Sequence, residues 1–418
     1  MTKGIRTNRR DFIRTFSLLA GASMVVSQIP WLERVNAQDT NKIVKLGIIG
    51  PGSRGKYLLL RLLDIPGLEI TCFCDNYEPN YQKAQQMLGS QARGYVNYKD
   101  MLEKEDIDAI IIATPLFEHA RMTVDALDAG IHVFCEKSLA KTYEEANEMV
   151  KAHKRNGKIL MPGHQRMFSL KYQKAYKMIQ DGKLGDITHI RAFWHRNNDW
   201  RRHVPSPELE RKINWRLYHD YSLGLVTELA SHQVQVANQI LGEVPEYVTG
   251  SGSINYWKDG REVFDNINMV YKYPCGTHLL YDSNISNNHY GLEEQVMGNL
   301  GTMELEKGKM FEEFPPPAPA ILKLINHMEN QFFDAVPIGG ASWVPETAEK
   351  VKGEYIYDGV LDDDGSRMML EAFISFVRDD YVDTELTKQG FYSSIASTMA
   401  FEAIMENKIV YWPKNLEF

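Results

Sequence analysis

Residues 43–55 read I-V-K-L-G-I-I-G-P-G-S-R-G, and this stretch restricts the rest of the chain more than any other. The β-branched and leucyl run from Ile43 to Ile49 has the composition of a buried strand. It ends at Gly50, Gly52 and Gly55, and Lys56–Asp64 then has a helical pattern. A strand, a G-x-G-x-x-G turn and a helix in that order are what a dinucleotide-binding fold requires. Gly50 permits the tight turn, Gly52 lets the backbone approach a pyrophosphate, and Gly55 lets the helix lie close to the strand. The turn also carries Ser53 and Arg54, and the helix start offers free N–H groups to phosphate. A second apolar run, Leu68–Cys74, ends in Asp75, where such folds place an acceptor for ribose hydroxyls. The chain is therefore expected to bind a dinucleotide.

With 418 residues the chain exceeds one ordinary domain, so two are expected. A net charge of −8 argues against nucleic acid or an anionic membrane surface as partner. The four cysteines (Cys72, Cys74, Cys135 and Cys275) have no metal-type spacing, and no metal is expected. Cys72 and Cys74 lie two apart on a strand and should share one buried face. The N-terminus reads as an address. Arg9-Arg10 is followed by Phe12-Ile13-Arg14, then by an apolar region over about residues 16–29, too short and interrupted for a convincing membrane span. Val35-Asn36-Ala37 supplies a small-residue cleavage pattern. Residues 1–37 thus have the form of a twin-arginine signal peptide, with a retained anchor as the alternative. Export of an already folded chain to the periplasm suits a protein that takes up its nucleotide in the cytoplasm.

From Ile43 to about Met161 strands and helices alternate, which predicts a parallel sheet with right-handed crossovers. Its ligand should sit at the carboxyl ends of the strands. Beyond Gly163 the pattern changes to strands at Ile187–Trp194, Tyr247–Ile254, Asn266–Tyr273, His278–Asn284 and Glu293–Met297, interrupted by a helix at Leu225–Leu241. Short polar connections between such strands predict an open, mostly antiparallel sheet. Pro315–Pro319 and the acidic run Asp358–Asp364 flank a weakly patterned segment, read as a long surface excursion, an oligomer arm or a lid.

Five short motifs then fall into a recognisable order. They are the glycine turn, Ala113-Thr114-Pro115 followed by His119, Glu136-Lys137, Gly182-Lys183-Leu184-Gly185, and His232 on a helix. Together they resemble the Gfo/Idh/MocA family (glucose-fructose oxidoreductase, inositol dehydrogenase, rhizopine catabolism) over nearly all of residues 42–410. The resemblance implies an α/β fold: an N-terminal doubly wound Rossmann domain (42–163) and a C-terminal α+β domain (164–418) with a large open sheet. It also implies a nicotinamide at the domain interface, sugar, cyclitol or glycoside substrates, and a homodimer or homotetramer formed through exposed sheet faces.

Residue by residue, the family's Glu-Lys-Pro motif matches Glu136, Lys137 and Ser138, with serine in place of the usual proline. Its lysine contacts the nicotinamide ribose and the reacting hydroxyl, and an ammonium there can polarise a developing alkoxide. His232 matches the catalytic histidine, and Glu228 falls one turn earlier, where aspartate is common. An acid/base pair, a metal-ligand pair and a core histidine all remain open readings of these two residues. Ala230 and Gln235 depart from the usual motif. Thr114, Pro115 and His119 line the loop expected beneath the nicotinamide. Asp75 favours NAD, held tightly, over NADP, whose 2′-phosphate it would repel, although Arg54 could bind a phosphate.

His164 and Arg166, just past the last Rossmann strand, are expected to face the cleft. The stretch Trp194–His203, which includes Trp200, and the nearby Trp215, Arg216 and Tyr218 are rich in aromatic faces and forked donors. Such a set suits a saccharide, and its arginines equally suit an acidic sugar. The expected activity is NAD-dependent oxidation of a sugar, cyclitol or glycoside carbinol, with C3 as one candidate position. The alternative is a redox-type glycoside hydrolase working by transient oxidation, elimination, water addition and re-reduction. A silent sugar- or nucleotide-binding protein is the non-enzymatic alternative.

Overall fold

The computed structural model describes residues 42–313, 327, 353–357, 364–416 and 418. The leader, Pro315–Pro319 and all but the last residue of the acidic run lie outside the described residues. The first sheet has six parallel strands: β1 (Val44–Ile49), β2 (Leu68–Cys74), β3 (Arg93–Tyr95), β4 (Ala109–Ile112), β5 (His132–Cys135) and β6 (Leu160–Pro162). Their order is β3-β2-β1-β4-β5-β6, the doubly wound arrangement whose switch point lies between β1 and β4. Every residue of β4 and β5 is buried, as expected for strands covered on both faces. Helices α1 (Ser53–Leu62), α2 (Glu78–Leu88), α3 (Tyr98–Lys104), α4 (Leu116–Asp128) and α5 (Tyr143–Asn156) make the crossovers. The sequence pattern did not show α3, which is a single short stretch started by the Asn97 side chain accepting from the Lys99 amide.

The second sheet has nine strands in the order β14-β13-β12-β11-β7-β10-β9-β8-β15. Its central strands are β7 (Ile187–His195), β8 (Tyr247–Ser253), β9 (Asn266–Lys272), β10 (His278–Asn284) and β11 (Leu292–Gly298). The edges are β12 (Gly301–Glu304), β13 (Lys309–Glu312), β14 (Glu354–Tyr355) and β15 (Val410–Tyr411). The sheet is mostly antiparallel, with one parallel pair, β7 with β10. One face packs on α7 (Ser231–Leu241) and α9 (Thr384–Glu406); Arg191, Leu280 and Tyr355 lie on the other and are exposed.

Two helices tie the sheets together. Helix α8 (Ser366–Asp379) returns to the first sheet, where Leu370, Phe373 and Phe376 share a core with Leu46, Ile48 and Leu58. Helix α9 runs between the layers, capped at its start by the Asp383 carboxylate. Helix α6 (Leu170–Gln180) anchors the second sheet through a buried ionic cluster. The Arg166 guanidinium lies 2.9 Å from both Glu294 and Glu306, and Lys171 lies 3.0 Å from Glu306. The Tyr172 hydroxyl is 2.7 Å from Glu294 and 2.8 Å from Glu306. This corrects the expectation that Arg166 faces the cleft as a substrate ligand: it is 6% exposed and engaged by carboxylates far along the chain, which no local pattern reveals.

Removing that cation would strand buried carboxylates. Arg166→Met should therefore cost about 3–5 kcal/mol, read from the urea unfolding midpoint. A loss below about 0.5 kcal/mol would show that the cluster is not structural.

Candidate active site

The glycine turn joins β1 to α1 at the switch point. Gly50 has φ +80°, and a Cβ on it would come within 2.8 Å of the Thr114 methyl. A Cβ on Gly55 would run into the Gly50 carbonyl oxygen, so helix and turn touch there. At Gly52 the nearest atom to such a Cβ would be Asn80 Nδ2 at 3.5 Å, which leaves room beside the backbone. No side chain caps α1, so its first-turn amides remain available. Asp75 accepts from the Tyr77 amide through one carboxylate oxygen (2.8 Å). The buried Thr114 hydroxyl oxygen has no partner among the described residues. An open backbone cradle, free amides and an orphaned hydroxyl fit a dinucleotide. Arg54 is shared with the loop that follows β5, its Nε donating to Glu136 at 2.7 Å.

Lys137 follows β5 and reaches across to the other domain. Its ammonium donates to the carbonyls of Thr227 (3.0 Å) and Glu228 (2.9 Å). Those carbonyls are available because Val226–Ala230, just before α7, forms a π-helical turn. The wider turn displaces the regular i→i−4 pairing. Thr227 O consequently also accepts from the hydroxyls of Ser231 (2.7 Å) and Ser138 (3.4 Å). The Lys137–Ser138 peptide is cis. Burial lowers the lysine's pKa, opposed by the charges of Glu228 and Glu136.

Of the open readings of Glu228 and His232, the acid/base pair needs correction. The Glu228 carboxylate instead takes Arg216 Nε at 2.7 Å, and the π turn at Val226–Ala230 interrupts the regular helix between the two residues. Burial would raise its carboxyl, but Arg216 and Lys137 outweigh this and hold it below the usual glutamate range.

His232 packs against two other rings, Trp194 at 5.5 Å and His164 at 6.0 Å between centroids. Burial, then the charges of Lys137, Arg166, His164 and Arg54, hold its imidazole well below the usual histidine range. His164 is 1% exposed, and neither of its ring nitrogens has a partner among the described residues. Burial and the same cations Lys137 and Arg166 push it down to about 3. Both imidazoles are neutral at neutral pH.

The connection 196–222 reaches the carboxyl ends of the first sheet's strands. Lys212 donates to the Asn76 carbonyl (2.8 Å), beside Asp75, and Tyr221 meets Phe117 at the start of α4 (4.8 Å). The aromatic residues expected to bind sugar have other tasks in it. Trp200 packs with Leu217, Tyr218 and Val263, and the Tyr218 hydroxyl donates to Glu210 (2.7 Å). Trp215 stacks beneath Arg216, 4.2 Å from its guanidinium carbon. The aromatic face that does reach His232 is Trp194; the sequence reading placed it at the start of the rich stretch without singling it out.

A family profile described as the oxidoreductase family, NAD-binding Rossmann fold, matches residues 44–164. A second, the GFO/IDH/MocA C-terminal domain, matches residues 172–304. The chain belongs to the Gfo/Idh/MocA family. It is 27% identical over 233 residues to the 2,7-anhydro-N-acetylneuraminate hydratase of Mediterraneibacter gnavus, covering 55% of this chain and 58% of that one. It is 26% identical over 207 residues to the alpha-N-acetylgalactosaminidase of Shewanella oneidensis, covering 45% and 44%. The chain thus spans about half the length of the curated relatives it matches. A levoglucosan dehydrogenase, solved with NADH and levoglucosan, matches with a TM-score of 0.70 and 17% identity, covering 89% of this chain and 100% of that one. At that identity the likeness shows the fold alone.

In this Gfo/Idh/MocA chain His119 does not line the nicotinamide loop as a free ring. It is 2% exposed, with Nδ1 2.8 Å from the Ser138 carbonyl oxygen and Nε2 3.0 Å from that of Thr114. Carbonyls only accept, so both nitrogens donate, which requires the imidazolium. Burial by itself would lower its pKa, but neighbouring Cys135 and the two carbonyls outweigh this and raise it to about 9. A raised folded-state pKa stabilises the fold fully below the unfolded value of about 6.5 and loses that effect as pH rises through about 9. The urea midpoint of the wild type should fall toward that of His119→Asn over this window. Parallel profiles for the two proteins would remove the imidazolium assignment.

Proposed function

We propose that this chain is an NAD-dependent oxidoreductase acting on a carbinol of a sugar, cyclitol or glycoside. The observation that carries the reading is the pairing of a carbonyl-held Lys137 ammonium with a neutral, buried His232 at the carboxyl end of β5. NAD, when bound, supplies the hydride acceptor. Lys137 is placed to hold the reacting hydroxyl and stabilise negative charge growing on its oxygen. His232, kept neutral by burial and nearby cations, can take the hydroxyl proton without first losing one of its own. Glu228 serves this site through its backbone carbonyl and its pairing with Arg216. Lys137→Met and His232→Asn should each lower kcat/KM for hydride transfer by about 10²–10⁴. Turnover within a few-fold of wild type in either variant would remove that residue from the chemistry.

A second reading is favoured by one observation, the second neutral imidazole of His164 beside His232. Oxidation needs one proton acceptor, whereas elimination and water addition need more proton transfers. The names of the two relatives, a hydratase and a glycosidase, support it. A product that stays oxidised indicates net dehydrogenation; a free sugar with no net redox change indicates the hydrolase.

We further propose that residues 1–37 direct export with NAD already held. The contacts of the connection 196–222 with the carboxyl ends of the first sheet's strands support retention of the nucleotide. Mass spectrometry of denatured, freshly purified protein should find near-stoichiometric NAD or NADH. Nucleotide-free protein would indicate an exchangeable cofactor and weigh against export.

A further inference from the structure

Around Lys137 the charges alternate: Arg54, Glu136, Lys137, Glu228, Arg216, linked by the contacts already given. Three cations face two anions, so the row is positive by one charge in a chain whose net charge is −8. Every charged neighbour that acts on His232 or His164 is likewise basic. Lys137 accounts for stabilising an alkoxide; it does not account for the arginine on the other wall.

That arginine is Arg196, at the end of β7. Its guanidinium carbon lies 4.8 Å from the centre of the Trp194 ring, and that same ring contacts His232. Four neighbouring arginines are engaged: Arg166 with Glu294, Arg201 with Glu210 and Asp259, Arg216 with Glu228, Arg261 with Asp259. No carboxylate lies within ion-pair distance of Arg196 among the described residues. The side chain is open to solvent yet recessed enough that desolvation lowers its pKa. Arg202 is also without a carboxylate, but it lies near Lys56 in the first turn of α1, where the phosphates of a bound dinucleotide would supply counter-charge. Arg196 has no such explanation. Beside it the Tyr281 hydroxyl is buried and unpartnered among the described residues, as are both nitrogens of His164, whose ring lies against His232. A planar guanidinium without a counter-ion, lying on the aromatic wall of the reaction site, suits a forked oxyanion.

We propose that the substrate is an anionic sugar, bearing a carboxylate or a phosphate, and that Arg196 binds this group across the face of Trp194. The proposal deepens the oxidoreductase reading and rests on it for the position of the reacting centre.

The test is calorimetric titration of the NAD-loaded full chain with glucuronate, glucose 6-phosphate and glucose, and with the galacto counterparts. At least one anionic sugar should bind about ten-fold or more tightly than its neutral counterpart. Arg196→Gln should erase that preference, while Arg191→Gln, on the opposite face of the sheet, should keep it. Preference confined to the uronates identifies a carboxylate ligand, and preference confined to the phosphates identifies a phosphate ligand. Neutral sugars binding as tightly as both anions, absence of binding by every anionic member, or an unchanged preference in Arg196→Gln would each overturn the proposal. Arg196-dependent anion binding without NADH formation would instead leave this proposal standing and count against the oxidoreductase reading.

Discussion

The site depends on one contact between domains, the Lys137 ammonium on the carbonyls of Thr227 and Glu228. A cation removed from water needs replacement dipoles or charge, or it loses its proton. The π turn supplies two oxygens that a regular helix would have used internally. Glu136 and Glu228 add negative charge nearby, and each is restrained by its own arginine. The ammonium is thereby held in place without being cancelled, which leaves it able to act on a bound hydroxyl.

Helix α9 keeps the two sides of that contact in register. The Ser394 hydroxyl accepts from the Leu139 amide at 3.0 Å, two residues beyond Lys137. One residue earlier, Ser393 donates to the Ser231 carbonyl at 2.8 Å, immediately before His232. Thr387 donates to the Leu160 carbonyl on β6 (2.7 Å), and Gly390 lies so close to Pro162 that a Cβ would meet it at 2.5 Å. His119 completes the arrangement from within the first domain by joining the Thr114 and Ser138 loops. Catalytic candidates that are far apart in the chain are thus positioned by hydroxyls, an imidazolium and one close helix approach.

The legible parts of this protein share a physical character. Strand and helix alternation, the glycine turn and the position of His232 on a helix are local patterns, and buried strands such as Ala109–Ile112 carry a periodicity that can be read directly. The edge strands Glu354–Tyr355 and Val410–Tyr411 are two residues long and have no period to read. The start of α9 at Thr384 has no clear local signal, because its glycine and hydroxyl residues look like loop until their partners are known. Arg166 and Glu228 were misplaced for the same reason: a charge in the sequence does not announce which counter-charge it will meet.

By itself the sequence determined the dinucleotide-binding architecture and the two sheets, since these follow from spacing and from residues that only a turn, strand end or helix face can use; Lys137 and His232 are singled out by the family resemblance. Tertiary structure alone decided that Arg216, not His232, takes Glu228, that Arg166 is an anchor, and that Trp194 supplies the aromatic wall. Those outcomes depend on which long-range neighbours share a low-dielectric space, and burial strengthens charge and dipole interactions that are weak in an unfolded chain.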